Sequence, residues 1–285
     1  MVVSTAQHEL ELVVPAGGRC APRWLLPMLR PARTPDELLL DLRGMGWVEP
    51  GGLVALAALA EAEAGRGRCV RLIAPRETRT ATYLSRMRLG QVIEGLGGTH
   101  DLRPVRERDV ADALLETTRF AGERGVEALA SVVYNNLVGQ DEEAAGALHT
   151  GIVEIGSNVP QHSGRAFGYV AAQVTHRSPQ GMLIQFAVAD CGQGVLASLR
   201  SVGATTDAHA LELALDRGVS RTGQAGRGVG IGATRDLAIG LGGGVCLVSG
   251  SAWRAATEHG VSCGSGRMAF SGTLLQGEVV LSKDG

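Results

Sequence analysis

The sequence of 285 residues contains a single lysine, Lys283, third from its end. That scarcity excludes chemistries that need a lysine in a folded site: a phosphate-loop lysine, the strand lysine of a eukaryotic-type protein kinase, and a Schiff-base lysine. Cysteine is sparse too. Cys20, Cys69, Cys191, Cys246 and Cys263 are scattered, odd in number and in no CxxC spacing. This suits a reducing cytoplasm and offers no thiolate metal site. The seven histidines lack ligand spacing, so a metal-hydrolase reading gains no support. There is no long apolar run, since Leu53–Ala60 is the longest and is too short to span a bilayer. The first residues show no charged stretch followed by an apolar core, so no signal peptide is expected. Nor is there a basic excess: the net charge is −2, with a mild cluster at Arg103, Arg106 and Arg108. Neither nucleic acid nor membrane is an expected partner.

What is present is enough chain for two domains and a sizeable core, at 45% hydrophobic residues. Residues 1–100 read as a small α/β unit. Strands are predicted at Glu9–Val14, Leu38–Leu42 and Cys69–Ala74, with helices at Leu53–Ala64 and Glu77–Leu89. Pro50 stands where a first helical turn tolerates proline. Residues 101–140 read as a helical linker, with helices over Asp109–Phe120 and Glu127–Leu137. Residues 141–285 change pattern. A long helix from Glu142 to Val159 opens on acidic residues that favour a helix start. A hairpin of Ala166–His176 and Met182–Ala189 follows. Helices are predicted at Asp207–Asp216 and Ile231–Ile239, and strands at Val245–Ser249, Arg267–Phe270 and Thr273–Leu281. Antiparallel hairpins beside long helices imply an α/β two-layer sandwich rather than a doubly wound sheet.

Three segments of this second half carry chemistry. Glu154 and Asn158 are four apart on a helix, one turn above each other and off the apolar face of Leu148, Ile152, Ile155 and Val159. An amide oxygen there can ligate magnesium, and a carboxylate one turn away can polarise a water or hydroxyl. Alone the pair reads better as a solvated polar face. Next, Asp190, Gly192 and Gly194 follow directly on the strand Met182–Ala189. A carboxylate at a strand end can accept the exocyclic amine of adenine, and glycines let the backbone pass close to base and ribose. Alone this reads as an acidic tight turn. Third, Gly226-Arg227-Gly228-Val229-Gly230-Ile231-Gly232 precedes a helix. Such glycines free backbone amides to face phosphate, with a helix N-terminus behind them. The segment is neither a Walker loop nor a good Rossmann fingerprint.

Together, the order and placement of these segments resemble the GHKL ATPase superfamily, the Bergerat fold, over residues 141–285. Glu154 and Asn158 match its N-box, Asp190-Gly192-Gly194 its DxGxG box, and Gly226–Gly232 its second glycine box. Gly272-Thr273 matches its late GT. The resemblance implies ATP bound with magnesium held by Asn158 and adenine held by Asp190. Thr273 would support the adenine contact. It makes Leu199–Ala225 a mobile lid, with Ser220 and Thr222 as phosphate contacts, and it gives Arg221 and Arg227 a place near the phosphates. His162 matches the last basic position of the N-box, but Pro160 lies between it and Asn158 and disfavours continuing the helix. Trp47-Val48-Glu49-Pro50-Gly51-Gly52-Leu53 resembles the phosphoacceptor loop of STAS domains of the anti-anti-sigma type. The hydroxyls are replaced by Pro50 and Gly51, which implies a docking module without the phospho-switch.

Within that superfamily a sensor histidine kinase would need a phosphoaccepting histidine on its own helix pair, whereas His149 lies within the N-box helix. Branches that reach the terminal phosphate with a lysine have no candidate but Lys283. The expectation is therefore a compact bacterial regulator of the anti-sigma serine kinase kind. Glu154 would act as general base toward a serine of a STAS-domain partner, and a sigma factor or another regulator is an alternative partner. A non-catalytic, nucleotide-gated binding module and a weak ATPase are the other readings. The resemblance implies a homodimer, and the cysteine usage a cytoplasmic one.

Overall fold

The computed structural model describes residues 10–34, 36–105, 113–178, 181–216 and 230–282. The first part of the chain runs β1 (Leu10–Val13), β2 (Gly18–Cys20), α1 (Pro22–Met28), β3 (Leu29–Pro31), β4 (Glu37–Asp41), β5 (Met45–Val48) and α2 (Pro50–Ala64). It continues through β6 (Cys69–Ile73), α3 (Thr78–Arg86), α4 (Leu89–Gly95) and β7 (Thr99–His100). Five of these strands form a sheet in the order β3-β1-β4-β6-β7. β3 is antiparallel to β1, and the other pairs are parallel. β2 and β5 make a small parallel pair.

The second part runs β8 (Ala113–Ala121), α5 (Gly122–Leu137), α6 (Glu142–Asn158), β9 (Phe167–Ser178) and β10 (Gly181–Ala189). Then come α7 (Gly194–Leu199), α8 (Asp207–Leu215), α9 (Ile231–Gly240), β11 (Gly244–Thr257) and β12 (Gly260–Ser282). Its five-stranded sheet has the order β11-β12-β10-β9-β8 and is antiparallel throughout. One face, carrying Val170, Phe186, Val188, Leu247 and Leu275, packs under α5, α6, α8 and α9. The chain is thus an α/β protein, with an antiparallel sheet layered against helices in its second part.

The opposite face of that sheet is not exposed. Helix α2 is apolar all round, and thirteen of its fifteen residues are buried. A helix without a polar face must be covered on every side. It lies between the two sheets, packed on β4 and β6 on one side and on β9, β10 and β12 on the other, in one core with Leu40, Leu72, Tyr169, Ala171, Ala187, Ala189 and Leu274. Alanines on both α2 and the sheet let the backbones approach closely. A buried polar link reinforces the contact: the Gly51 N–H donates to Gln276 Oε1 at 2.8 Å, and Gln276 Nε2 donates to Glu49 Oε2 at 2.7 Å. Gln276 thereby caps the α2 N-terminus, whose first N–H groups have no partner within the helix.

Several local expectations need correction. Of the helix expected over Asp109–Phe120, residues 113–120 are instead part of strand β8, paired with β9, and residues 109–112 lie outside the described residues. Leu115, Thr117 and Phe120 are buried while Arg119 is exposed, which suits an edge strand better than a helix face. The single helix expected over Glu77–Leu89 is two, α3 and α4, broken where Arg88 adopts φ 59°. The two final strands expected at Arg267–Phe270 and Thr273–Leu281 are one strand, β12, with an irregularity of pairing near Gly250. The expected lid Leu199–Ala225 is in part core: Ala210, Leu211 and Leu215 of α8 are fully buried, and Asp207 at its start accepts the Ser251 N–H at 2.8 Å. Among the described residues no helix is long and apolar enough to cross a membrane.

Candidate functional site

Strand β10 carries its apolar run to Ala189 and delivers Asp190 just past the sheet. Asp190 is 5% exposed. Its backbone N–H donates to the Thr273 carbonyl at 2.9 Å, which ties the loop to β12. Its carboxylate accepts the Gly192 N–H at 2.7 Å and hydrogen bonds from the side chain and backbone of Thr273. Burial still dominates these bonds and a favourable field from Arg165, so the carboxyl is pushed up to about 6.

Two glycines are required by this geometry. Gly272 has φ 104°, and a Cβ there would lie 2.0 Å from the Asp190 carbonyl oxygen. Gly194 has φ 76°, and a Cβ there would lie 2.7 Å from Ser249 Oγ. Both positions combine a backbone region open mainly to glycine with a lack of space. Ser249 fixes the corner by accepting the Val195 N–H at 3.0 Å and donating to the Gly272 carbonyl at 2.7 Å.

Facing this corner is the end of α6. The helix starts on Asp141, which accepts the Ala144 N–H at 2.9 Å, with Glu142 and Glu143 in its first turn. It ends on Asn158. Pro160 does not stop the chain turning but changes the turn: Val159–Ser163 is one π-helical turn, closed by Gly164 at φ 71°. Ser163 then joins the two motifs. Its hydroxyl donates to the Val159 carbonyl at 2.6 Å, and its carbonyl accepts the Gln193 N–H at 2.9 Å. A Cβ on Gly192 would fall 2.2 Å from that same carbonyl oxygen.

The result is one pocket in which Asn158, Asp190, Gly194, Gly230 and Thr273 meet, with about 820 Å³ of empty space that includes its opening to solvent. Ile155, Val188, Val195, Leu247 and Leu275 supply apolar walls. The combination of apolar walls and one convergent polar end is typical of small-molecule sites. Three expected residues stand outside the lining. Gly192 supports Asp190 from behind. Gly232 is buried in the first turn of α9. Glu154 is half-buried one turn before Asn158, and burial raises its carboxyl above the usual range. Ser220, Arg221, Thr222, Gly226, Arg227, Gly228, Val229 and Lys283 lie outside the described residues, as does the side chain of His162. Sequence reasoning missed Ser163 and Ser249. A single serine carries no periodicity, and the only signal was the position of Ser249 at the end of an apolar strand. Among the described residues no group of three or more His, Cys, Asp or Glu side chains is placed to hold a metal ion.

No family model matches the sequence, and no curated protein matches it. Among solved structures, the histidine kinase domain of the blue-light activated histidine kinase from Erythrobacter litoralis EL346 is similar at 18% identity. That match has a TM-score of 0.28 and covers 72% of this chain and 82% of that chain. A likeness of this size carries no weight.

Proposed function

We propose that this chain is a regulatory ATP-binding protein of the GHKL kind that holds magnesium-ATP in the pocket between α6, β10, β12 and α9. The observation that carries the reading is Asp190: a carboxylate buried at a strand end, oriented by Thr273 and Gly192, at the polar end of an apolar slot. Above about pH 6 it is ionised and accepts the exocyclic amine of adenine. The apolar walls exclude water from the ring and strengthen that hydrogen bond. Asn158 offers an amide oxygen, which a hard cation prefers. No cluster of carboxylates gathers there among the described residues, which suits a metal that arrives with its nucleotide and completes its shell with phosphate and water. Magnesium, when bound, would offset phosphate charge and fix the terminal phosphoryl group.

In the reaction we favour, Glu154 takes the proton of a serine hydroxyl on a partner protein. Its burial raises its proton affinity, the direction a general base near neutral pH requires. The partner would be a STAS-domain protein, as for an anti-sigma-like serine kinase. The first part of the chain would be a STAS-like docking module. Pro50 and Gly51 stand where that family carries hydroxyls, and the Gly51 N–H is already tied to Gln276. The position of Glu154 outside the pocket lining favours a second reading: a nucleotide-gated binding module, or a weak ATPase, whose partner is a sigma factor or another regulator.

Thermal unfolding with and without magnesium-ATP tests the site. Wild type should be stabilised by ligand, and Asp190→Ala should not. Equal shifts would overturn the adenine assignment. Labelled ATP then separates the two readings. Loss of phosphoryl transfer in Glu154→Gln with binding retained supports the kinase, and absence of turnover in wild type with candidate partners supports the gated module.

A further inference from the structure

The turn that follows Asn158 is built unlike an ordinary helix end, and its construction bears on one side of the pocket. An α-helix continuing past Asn158 would send the N–H of residue 160 to the Gly156 carbonyl, but Pro160 has no N–H. That carbonyl takes the Val159 N–H instead, and the chain passes through the π-helical turn Val159–Ser163. Single π turns are frequent at functional sites. The ladder that would fix the last helical residues is therefore interrupted directly after Asn158. The Asn158 side chain does not make up for this. It lines the pocket and makes no hydrogen bond among the described residues. Its amide is free for a ligand, and its position rests on the backbone that carries it.

Ser163 supplies the missing tie. It is 7% exposed and lines the same pocket. Its hydroxyl donates to the Val159 carbonyl at 2.6 Å and accepts the Arg165 N–H at 3.0 Å, so one side chain closes the turn across Pro160. Its backbone is fixed separately. The Ser163 carbonyl accepts the Gln193 N–H at 2.9 Å. Gly192 packs on it so closely that a Cβ there would lie 2.2 Å from the carbonyl oxygen, and the Gly192 N–H donates to Asp190. The hydroxyl thus serves the Asn158 side of the pocket and the carbonyl the Asp190 side. Ser163→Ala removes the first tie and keeps the second.

We propose that Ser163 is a positioning residue for the nucleotide's cation: its hydroxyl holds the end of α6 so that Asn158 meets the magnesium of magnesium-ATP, while the adenine end of the site is held without it. This role rests on the nucleotide reading of the pocket.

The test is equilibrium dialysis of labelled ATP against the full chain, once with excess magnesium and once in EDTA. In Ser163→Ala the affinity in EDTA should match wild type. The gain in affinity that magnesium brings should fall about five- to tenfold, the worth of one well-placed hydrogen bond. Ser249→Ala is the control at the opposite corner, where the Ser249 hydroxyl accepts the Val195 N–H, and it should weaken binding alike in both solutions. A magnesium gain unchanged in Ser163→Ala would overturn the proposal. So would equal weakening with and without magnesium, the mark of a merely structural serine. Amide exchange in the wild type keeps the test open should Ser163→Ala not fold. The Arg165 N–H should exchange more slowly with magnesium-ATP than with ATP in EDTA, because a cation on Asn158 tightens the same turn, and equal protection would overturn the role of Ser163. Failure of the underlying reading looks different: wild type would then bind no ATP in either solution.

Discussion

Replacing Asp190 by asparagine should make the ligand-free protein more stable relative to wild type as pH rises, even though the site is damaged. The carboxyl moves from its ordinary 3.8 to about 6 on folding, because burial penalises its charge more than Gly192, Thr273 and Arg165 favour it. At about 1.4 kcal/mol for each tenfold change in proton affinity, that corresponds to roughly 3 kcal/mol. The sign follows from proton counting. Between about pH 4 and 6 the folded chain holds a proton here that the unfolded chain has lost, so stability falls as pH rises. The contribution is fully present below the unfolded value and absent above the folded one. Asp190→Asn carries no such dependence. It has a constant cost of its own, because its amide N–H groups face donors on Thr273. That cost does not change with pH and cancels from the comparison. Urea unfolding followed by circular dichroism, without nucleotide, at steps from about pH 4 to 7, reads the difference directly. The variant should gain about 3 kcal/mol on wild type across that range. Parallel curves would refute the burial of an ionised carboxylate at this site. A gain of the expected size would mean that the chain keeps a destabilising charge, a common mark of a functional position.

Other substitutions probe the supports of the pocket and the contact between the two sheets. Gly194→Ala places a Cβ 2.7 Å from Ser249 Oγ at a backbone φ of 76°. The conformation alone costs about 1–2 kcal/mol, so the urea midpoint should fall and the Tm shift with magnesium-ATP should shrink; an unchanged midpoint would contradict the geometry. In Gly156→Ala the new Cβ meets Val126 Cγ2 at 2.2 Å across the α5–α6 contact. Overpacking of about 1–3 kcal/mol then competes with a helix-propensity gain of about 1 kcal/mol, and a net loss of stability is expected; net stabilisation would show that the helices can separate freely. Gln276→Leu leaves the buried Gly51 N–H without its acceptor and removes a donor from Glu49. It should cost about 1–3 kcal/mol for the orphaned N–H and more for the carboxylate, and a loss under about 0.5 kcal/mol would mean that water replaces the amide.

The elements legible in the sequence were those with strong end signals. Helix α6 is announced by Asp141-Glu142-Glu143, the β9–β10 hairpin by Pro179 and Gly181, and α9 by the glycines before it. Asp190 was legible for the same reason, as a carboxylate set between an apolar strand and two glycines. Elements defined by their neighbours were not. Strand β8 lacks a helix's requirement for a wide apolar face, and only the open edge of β9 decides its state. The segments β2, α1, β3 and β5 are short and show no period. The apolar composition of α2 implied burial but did not say against what. Gln276, which caps it, is 225 residues away from Gly51, and no local pattern encodes such a partner.

The placement of α2 makes strand β10 a shared wall. Side chains alternate along a strand, so Val188 faces the helices and the pocket while Ala187 and Ala189 face α2. The same alternation places Tyr169, the partner of Ala189 across the ladder, under α2. Its hydroxyl donates to Glu61, which also accepts Arg119 Nε at 3.0 Å. Arg119 in turn lies over the Phe167 ring at 3.6 Å. The C-terminal end of α2 is therefore tied to the strand residue beside Asp190, while its N-terminal end is tied to Gln276 farther along the same sheet face. A helix fixed at both ends, and packed through alanines with little room to rotate, moves with the sheet or not at all. Any influence of the first part of the chain on the pocket therefore passes through the sheet itself, as a shift of β9, β10 and β12, all of which pack against α2. This argues for rigid coupling through packing, not for a hinged domain swinging over the pocket.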